Sequence, residues 1–133
     1  MPGIDECLTE AMALPGARGA WLVDWNSGLA LGTAGESPVG DHETTAAETA
    51  ELARAAAEFD SFTVAAEDDG EDDGEPPVED LIVTTRAGYH VLRFVRTTFD
   101  SSVFLHLWLD RRTGNLALAR MRLGDLAERL VLG

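Results

Sequence analysis

The fold follows first from the stretch between Leu14 and Leu31, which reads LPGARGAWLVDWNSGLAL. From Gly19 to Trp25 the side chains divide into two alternating sets, which is the period of a β-strand with two distinct faces. Asn26-Ser27-Gly28 predicts a tight turn, because Gly28 can adopt a positive φ. A shorter strand from Leu29 to Thr33 then completes a predicted β-hairpin.

Three helices are predicted around this hairpin, from Ile4 to Leu14, from about His42 to Phe59, and from Leu116 to Leu132. The first and the last carry apolar stripes at helical spacing. The middle one is rich in Ala and Glu, and Asp41 is a suitable N-cap for it. Four small side chains lie along one of its faces and would let another element approach closely, namely Ala46, Ala50, Ala53 and Ala57.

Three further strands are predicted in the second half of the chain, from Leu81 to Thr85, from Tyr89 to Arg96 and from Ser102 to Leu109. The element order is therefore α-β-β-α-β-β-β-α within one domain that spans residues 1–133. Because the connections are short hairpins, the five-stranded sheet is expected to be mostly antiparallel. Helices packed on such a sheet make an α/β sandwich of the α+β type.

An acidic segment, EDDGEDDGE from Glu67 to Glu75, precedes the third strand and contains seven acidic residues in nine. Its charge density and lack of apolar residues predict a mobile loop over residues 67–77. The spacing partly imitates a calcium-binding EF-hand loop. However, the twelfth position would be Asp80 instead of Glu, and Pro76 and Pro77 interrupt the loop. No specific metal site is therefore expected.

Composition limits the classes of partner. The 133 residues carry 24 acidic and 10 basic side chains, a net charge of −14, and every basic residue is Arg. A field of this sign repels nucleic acid and anionic lipid, and favours a protein with a basic surface. No stretch is apolar and long enough to cross a membrane, and the acidic N-terminus does not resemble a secretory signal. We therefore expect a cytoplasmic protein, and the Ala-rich, Arg-only usage suggests a bacterial source.

Candidate catalytic side chains are few and carry no recognisable motif. Cys7 lies on the apolar stripe of the first helix, which favours a buried structural thiol. His90 and His106 lie within strands, and His42 opens the acidic central helix, where it is expected to be exposed. The segment GTAGES from Gly32 to Ser37 lacks the Lys of a phosphate-binding loop. The sequence therefore predicts a protein that is not an enzyme and needs no cofactor.

Taken together, several segments resemble the Roadblock family, which is named after a dynein light chain. They are the stretch from Leu14 to Leu31, the Ala/Glu-rich central helix, VEDLIVTTRAGYHVLRFV from Val78 to Val95, and FLHLWLDRRTGNLALARMRL from Phe104 to Leu123. The resemblance implies a Roadblock/profilin-like fold and a non-enzymatic homodimeric scaffold. Such dimers bind partners that include Ras-like small GTPases, and they can promote GTP hydrolysis by the partner's own groups.

The resemblance also implies where the surfaces lie. In the family, third strands pair across the dimer and central helices lie side by side. The corresponding dimer residues here are Leu81, Ile82, Val83, Thr84 and Thr85, with Ala46, Ala50, Ala53 and Ala57. The partner surface would be the polar face of the central helix, with Glu43, Glu51, Arg54 and Glu58, although such a face can also be simply solvated. The acidic segment is a departure from the family, since its charge beside the third strand could weaken pairing.

An alternative hypothesis is a PAS-like domain that senses a small molecule. Such domains also place helices beside a five-stranded antiparallel sheet. The ligand would need a pocket lined by Trp21, Phe94 and Trp108, although the tryptophans are also expected simply as core residues. The single long central helix argues against this alternative, because PAS-like domains use several short ones.

Overall fold

A computed structural model describes residues 3–63, 77–96 and 102–130. Its elements are α1 (Ile4–Met12), β1 (Ala17–Asp24), β2 (Leu29–Gly35), α2 (His42–Glu58), a 3-10 turn (Asp60–Phe62), β3 (Asp80–Thr84), β4 (Gly88–Val95), β5 (Val103–Asp110) and α3 (Leu116–Arg129). The predicted order of helices and strands is confirmed, and each predicted element overlaps an observed one. The predicted acidic loop lies outside the described residues, except for Pro77.

The five strands form one sheet in the order β2-β1-β5-β4-β3, and every neighbouring pair is antiparallel. The last strand in sequence, β5, is therefore at the centre, between β1 and β4. The edges of the sheet are β2 and β3. The predicted antiparallel α/β sandwich is confirmed.

Helices cover both sides of this sheet. On one side, here called the α1/α3 face, α1 and α3 pack against an aliphatic cluster that contains Leu22 and Leu107. On the other side, the α2 face, α2 packs against a cluster that contains Trp21, Val23 and Phe104. The alternation along β1 explains this division, because successive side chains of a strand enter opposite clusters.

The alanine row of α2 belongs to the core of its own chain. Ala46, Ala50 and Ala53 are at most 2% exposed and pack in the α2-face cluster, with Ala57 partly buried against it. Ala46, Ala50 and Ala53 are therefore not available to a second copy, whereas the expectation that Ala57 contacts one stays a prediction. The small side chains do allow close approach, but the element that approaches is the chain's own sheet.

Local hydrogen bonds account for where the turns and helices begin. Gly28 has φ +75°, and its N–H donates to the Asp24 carbonyl at 2.8 Å, which closes the β1–β2 turn. The Asp41 carboxylate accepts from the Glu43 N–H at 3.1 Å at the start of α2, as predicted. Within the described ranges, no helix is long and apolar enough to cross a membrane.

Candidate functional site

The edge strand β3 exposes both apolar side chains and backbone. Among the described residues it pairs with β4 only. Ile82 and Val83 are 40% and 37% exposed, and the opposite edge strand, β2, exposes leucines as well. Leu81 instead packs partly against the α2-face cluster, and Thr85 closes the turn to β4. In β3, the predicted interface strand, the Leu81 end is therefore partly buried in the chain's own core and the middle is exposed.

The direction of the β3 backbone groups follows from two hydrogen bonds. The Phe94 N–H donates to the Glu79 carbonyl at 3.0 Å, and the Thr85 N–H donates to the Gly88 carbonyl at 2.8 Å. In an antiparallel pair, hydrogen-bonded residues alternate with residues whose backbone groups point away. Ile82 and Thr84 therefore direct their N–H and C=O groups outward, where another strand could bind them.

The outer surface of α2 is acidic. Glu43, Glu51 and Glu58 are exposed, and Arg54 is half-buried. None of these four side chains forms an ion pair or hydrogen bond with another part of the chain that the structure describes. The structure thus brings the predicted partner residues onto one helix, with their charges available to a partner.

The sequence did not predict several exposed apolar side chains on α2 and just after it. Leu52 is 43% exposed, while Phe59 and Phe62 are 57% and 53% exposed. The two phenylalanine rings lie 6.3 Å apart. The only signal in the sequence was a pair of aromatic residues among polar neighbours after a helix, and large apolar residues are more often buried than exposed.

A chain of polar contacts crosses the α2 face. The His106 ring is 1% exposed, stacks on Trp21 at 4.5 Å, and places Nε2 2.8 Å from Nδ1 of His90. The Trp21 indole N–H in turn donates to Nδ1 of His42 at 2.8 Å. His42 was expected to be exposed and is instead half-buried, because this bond and a 3.1 Å contact with the Gly35 carbonyl hold its ring.

Burial keeps the central histidines neutral. It lowers the pKa of His106 well below its ordinary value, and the neighbouring His90 lowers this pKa further. Burial also lowers the pKa of His90. One ring must therefore donate to the other, and Nδ1 of His106 has no hydrogen-bond partner among the described residues. The histidine pair is thus part of the packed core of the α2 face.

The sequence and the fold were compared with those of known proteins. No family model matches the sequence, and no curated protein matches it. Among solved structures, MglB of Myxococcus xanthus is similar, with a TM-score of 0.65 and 22% identity over 92% of this chain and 77% of the MglB chain. The chain has the Roadblock-type fold of MglB. The expected fold is thereby confirmed.

Within this Roadblock-type fold, the single cysteine of the chain is buried. Cys7 is 1% exposed, and burial raises the pKa of its thiol to about 11, with a further rise from the Glu10 carboxylate. The thiol is therefore protonated at neutral pH and is not a nucleophile. Among the described residues, no group of three or more His, Cys, Asp or Glu side chains could hold a metal ion.

The aromatic residues that would line a sensor pocket are packed among themselves in this fold. Trp21, Phe94 and Trp108 are at most 6% exposed and belong to the α2-face cluster. The Arg18 guanidinium lies 4.1 Å above the Trp108 ring. These contacts, and the single 17-residue α2, favour the core interpretation of the tryptophans over a ligand pocket.

Proposed function

We propose that this chain is a non-enzymatic, cytoplasmic homodimeric scaffold that binds a Ras-like small GTPase and regulates it. One observation carries the proposal. On a Roadblock-type fold, the edge strand β3 presents exposed Ile82 and Val83 beside outward-facing backbone groups. A strand with these properties is a template for pairing with a second copy.

The proposed dimer pairs two copies of β3 about a two-fold axis. Ile82 and Thr84 would exchange backbone hydrogen bonds with the partner strand, so that the two sheets become one. The apolar side chains of β3 would be covered on both faces of the joined sheet. The dimer residues we propose are therefore those from Leu81 to Thr85 and Ala57, without the buried Ala46, Ala50 and Ala53.

The proposed GTPase surface is the outer side of α2. Glu43, Glu51 and Glu58 offer carboxylates to a basic partner, and the net charge of −14 would speed encounter with it. The exposed Phe59 and Phe62 add apolar area to the same surface. The chain has no phosphate-binding loop, so any GTP hydrolysis would use the GTPase's own groups, positioned by the dimer.

Light scattering tests the dimer. We expect a mass twice the 14.3 kDa of one chain. Ile82→Pro should yield monomers, because proline removes an outward N–H and leaves the bonds between β3 and β4 intact. The control is Leu31→Lys, which places a charge at the opposite edge of the sheet, at a residue 46% exposed. A wild-type monomer at every concentration would refute this dimer, as would an Ile82→Pro dimer.

GTPase binding is tested with purified small GTPases from the same genome, each loaded with GTP or GDP. We expect one of them to bind, and its GTP hydrolysis rate to change. Glu51→Arg combined with Glu58→Arg should weaken binding by about tenfold or more. Glu6→Arg on α1 is the control, since Glu6 is exposed on the other side of the molecule. Binding to none of these GTPases would overturn this part of the proposal.

A further inference from the structure

A groove runs between α1 and α3, on the face of the molecule opposite α2. Its volume is about 550 Å³, which is within the range of sites that hold a ligand or several side chains. Leu14, Leu118 and Leu126 supply apolar lining. Leu126 is buried, whereas Leu14 and Leu118 are half-buried and accessible from the groove. The floor of the groove between the two helices is therefore apolar.

Two guanidinium groups also line this groove, and they differ in their partners. Arg129 forms an ion pair with Glu10 at 3.1 Å across the helices. Arg122 is exposed and forms no ion pair or hydrogen bond with the described part of the chain. Arg122 therefore gives the groove a local positive charge beside its apolar lining, although the chain as a whole carries a net charge of −14. Guanidinium groups bind carboxylates through paired hydrogen bonds, so the groove is suited to an acidic, partly apolar ligand.

We propose that the α1/α3 groove binds a peptide segment of a partner protein, which inserts apolar side chains against Leu118 and Leu126 and offers a carboxylate to Arg122. The groove is an open cleft between two helices, a shape that suits a peptide. An anionic membrane is a poorer match, because it would bring many negative charges toward a chain of net charge −14, whereas a peptide can offer a single carboxylate to Arg122.

This site goes beyond the proposed GTPase function and does not depend on it. The helix α1 packs on β1 and β2, at the end of the sheet away from β3. The helix α3 packs mainly on β4, and its Arg120 contacts Asp80 of β3, but Leu118, Arg122 and Leu126 line its other side, toward α1. A dimer made through β3 thus leaves the groove open, and α2 lies on the other side of the sheet. One chain could hold a GTPase on the α2 side while the groove holds a second protein.

A phage-displayed library of short random peptides, selected on the purified full chain, tests the proposal. We expect enriched peptides to combine large apolar residues with Asp or Glu. Their affinity, measured by fluorescence anisotropy with labelled synthetic peptides, should fall about tenfold or more in Arg122→Glu. Leu118→Ser should also weaken binding. Arg112→Glu is the matched control, since Arg112 is exposed, outside the groove, and undergoes the same charge change.

Three outcomes would overturn the proposal. The first is that no peptide is enriched, and the second is that enriched peptides bind Arg122→Glu as tightly as wild type. The third is loss of peptide binding in Ile82→Pro with Arg122 intact, which would locate the peptide at the dimer interface. Equal thermal unfolding temperatures of Arg122→Glu and Arg112→Glu would show that a change in affinity is not a change in folding. Because binding is measured without any GTPase, failure of the GTPase proposal leaves this result interpretable.

Discussion

The two faces of the sheet are covered by different kinds of side chain. The α1/α3 face is aliphatic, with leucines and valines under two helices. The α2 face combines large aromatic rings with the alanines of a single helix, and all three histidines of the chain contribute to it. One helix covers less of a sheet than two do, and aromatic rings fill the remaining space. The comparison shows that one strand with alternating side chains can contribute to two cores of different chemistry. Four expected effects, from the largest to the smallest, test it.

The largest expected effect is that of Trp21→Ala on the α2 face. We expect a loss of about 3–5 kcal/mol in the free energy of unfolding, because a fully buried ring and its hydrogen bond to His42 are both removed. The adjacent Leu22→Ala, on the other face, should cost about 2–4 kcal/mol. Urea unfolding of both variants measures the difference. A smaller loss for Trp21→Ala than for Leu22→Ala would mean that the α2 face is the more adaptable of the two.

A second effect tests how closely α2 lies on the sheet. Ala50→Leu should lower the free energy of unfolding by about 1–3 kcal/mol, since the larger side chain has no room at a position 2% exposed. Ala47→Leu on the same helix is the control, because Ala47 is exposed and the change in helix propensity is the same. Equal stability of the two variants in urea would contradict the close packing of the alanine row.

The third effect is a dependence on pH that belongs to the α2 face. His90 and His106 have lowered pKa values in the folded chain. As the pH falls below about 6.5, the unfolded chain binds protons that the folded chain does not, so stability decreases, by at most about 1.4 kcal/mol per pH unit for each histidine. Urea unfolding between pH 7.5 and about 5 measures this slope. His106→Phe keeps a ring beside Trp21 and should flatten the slope, whereas an unchanged slope would exclude His106 as its source.

The smallest effect concerns the helix caps. The Asn115 side chain accepts from the Leu118 N–H at 3.0 Å at the start of α3, so Asn115→Ala should cost about 1 kcal/mol, while Asn115→Asp should retain the cap. The α2 cap differs because it titrates. Hydrogen bonds from the Thr44 hydroxyl and the Glu43 N–H lower the pKa of Asp41. Only the α2 cap should therefore weaken in acid. Circular dichroism against pH should show that Asp41→Ala is less stable than the wild type at neutral pH and loses this difference in acid, whereas the deficit of Asn115→Ala remains.

Sequence patterns predicted the elements well because those patterns are local. The alternation from Ala20 to Val23 predicted which side chains share a face, and Asp41 marked the start of α2. The position of β5 between β1 and β4 depends on pairing between distant segments, which no local pattern encodes. The fold was inferred instead from resemblance to a family.

The candidate sites were harder to predict because they depend on what each surface touches. A row of alanines indicates close approach, but it does not identify the approaching element, and at Ala46, Ala50 and Ala53 this element is the chain's own sheet. His42 was misjudged because its partner, Trp21, is remote in sequence. The groove beside Arg122 requires α1 and α3 to be neighbours, which only the folded chain establishes.

The alternating backbone of β3 has a consequence for exchange with heavy water. The amide hydrogens of Leu81 and Val83 face β4, whereas those of Ile82 and Thr84 face outward. In a single chain the first pair should exchange slowly and the second pair rapidly, residue by residue. If a second strand binds this edge, the rapid pair slows and the alternation disappears. Hydrogen exchange at these four neighbouring amides thus reports on assembly at any chosen protein concentration, without a label or a substitution.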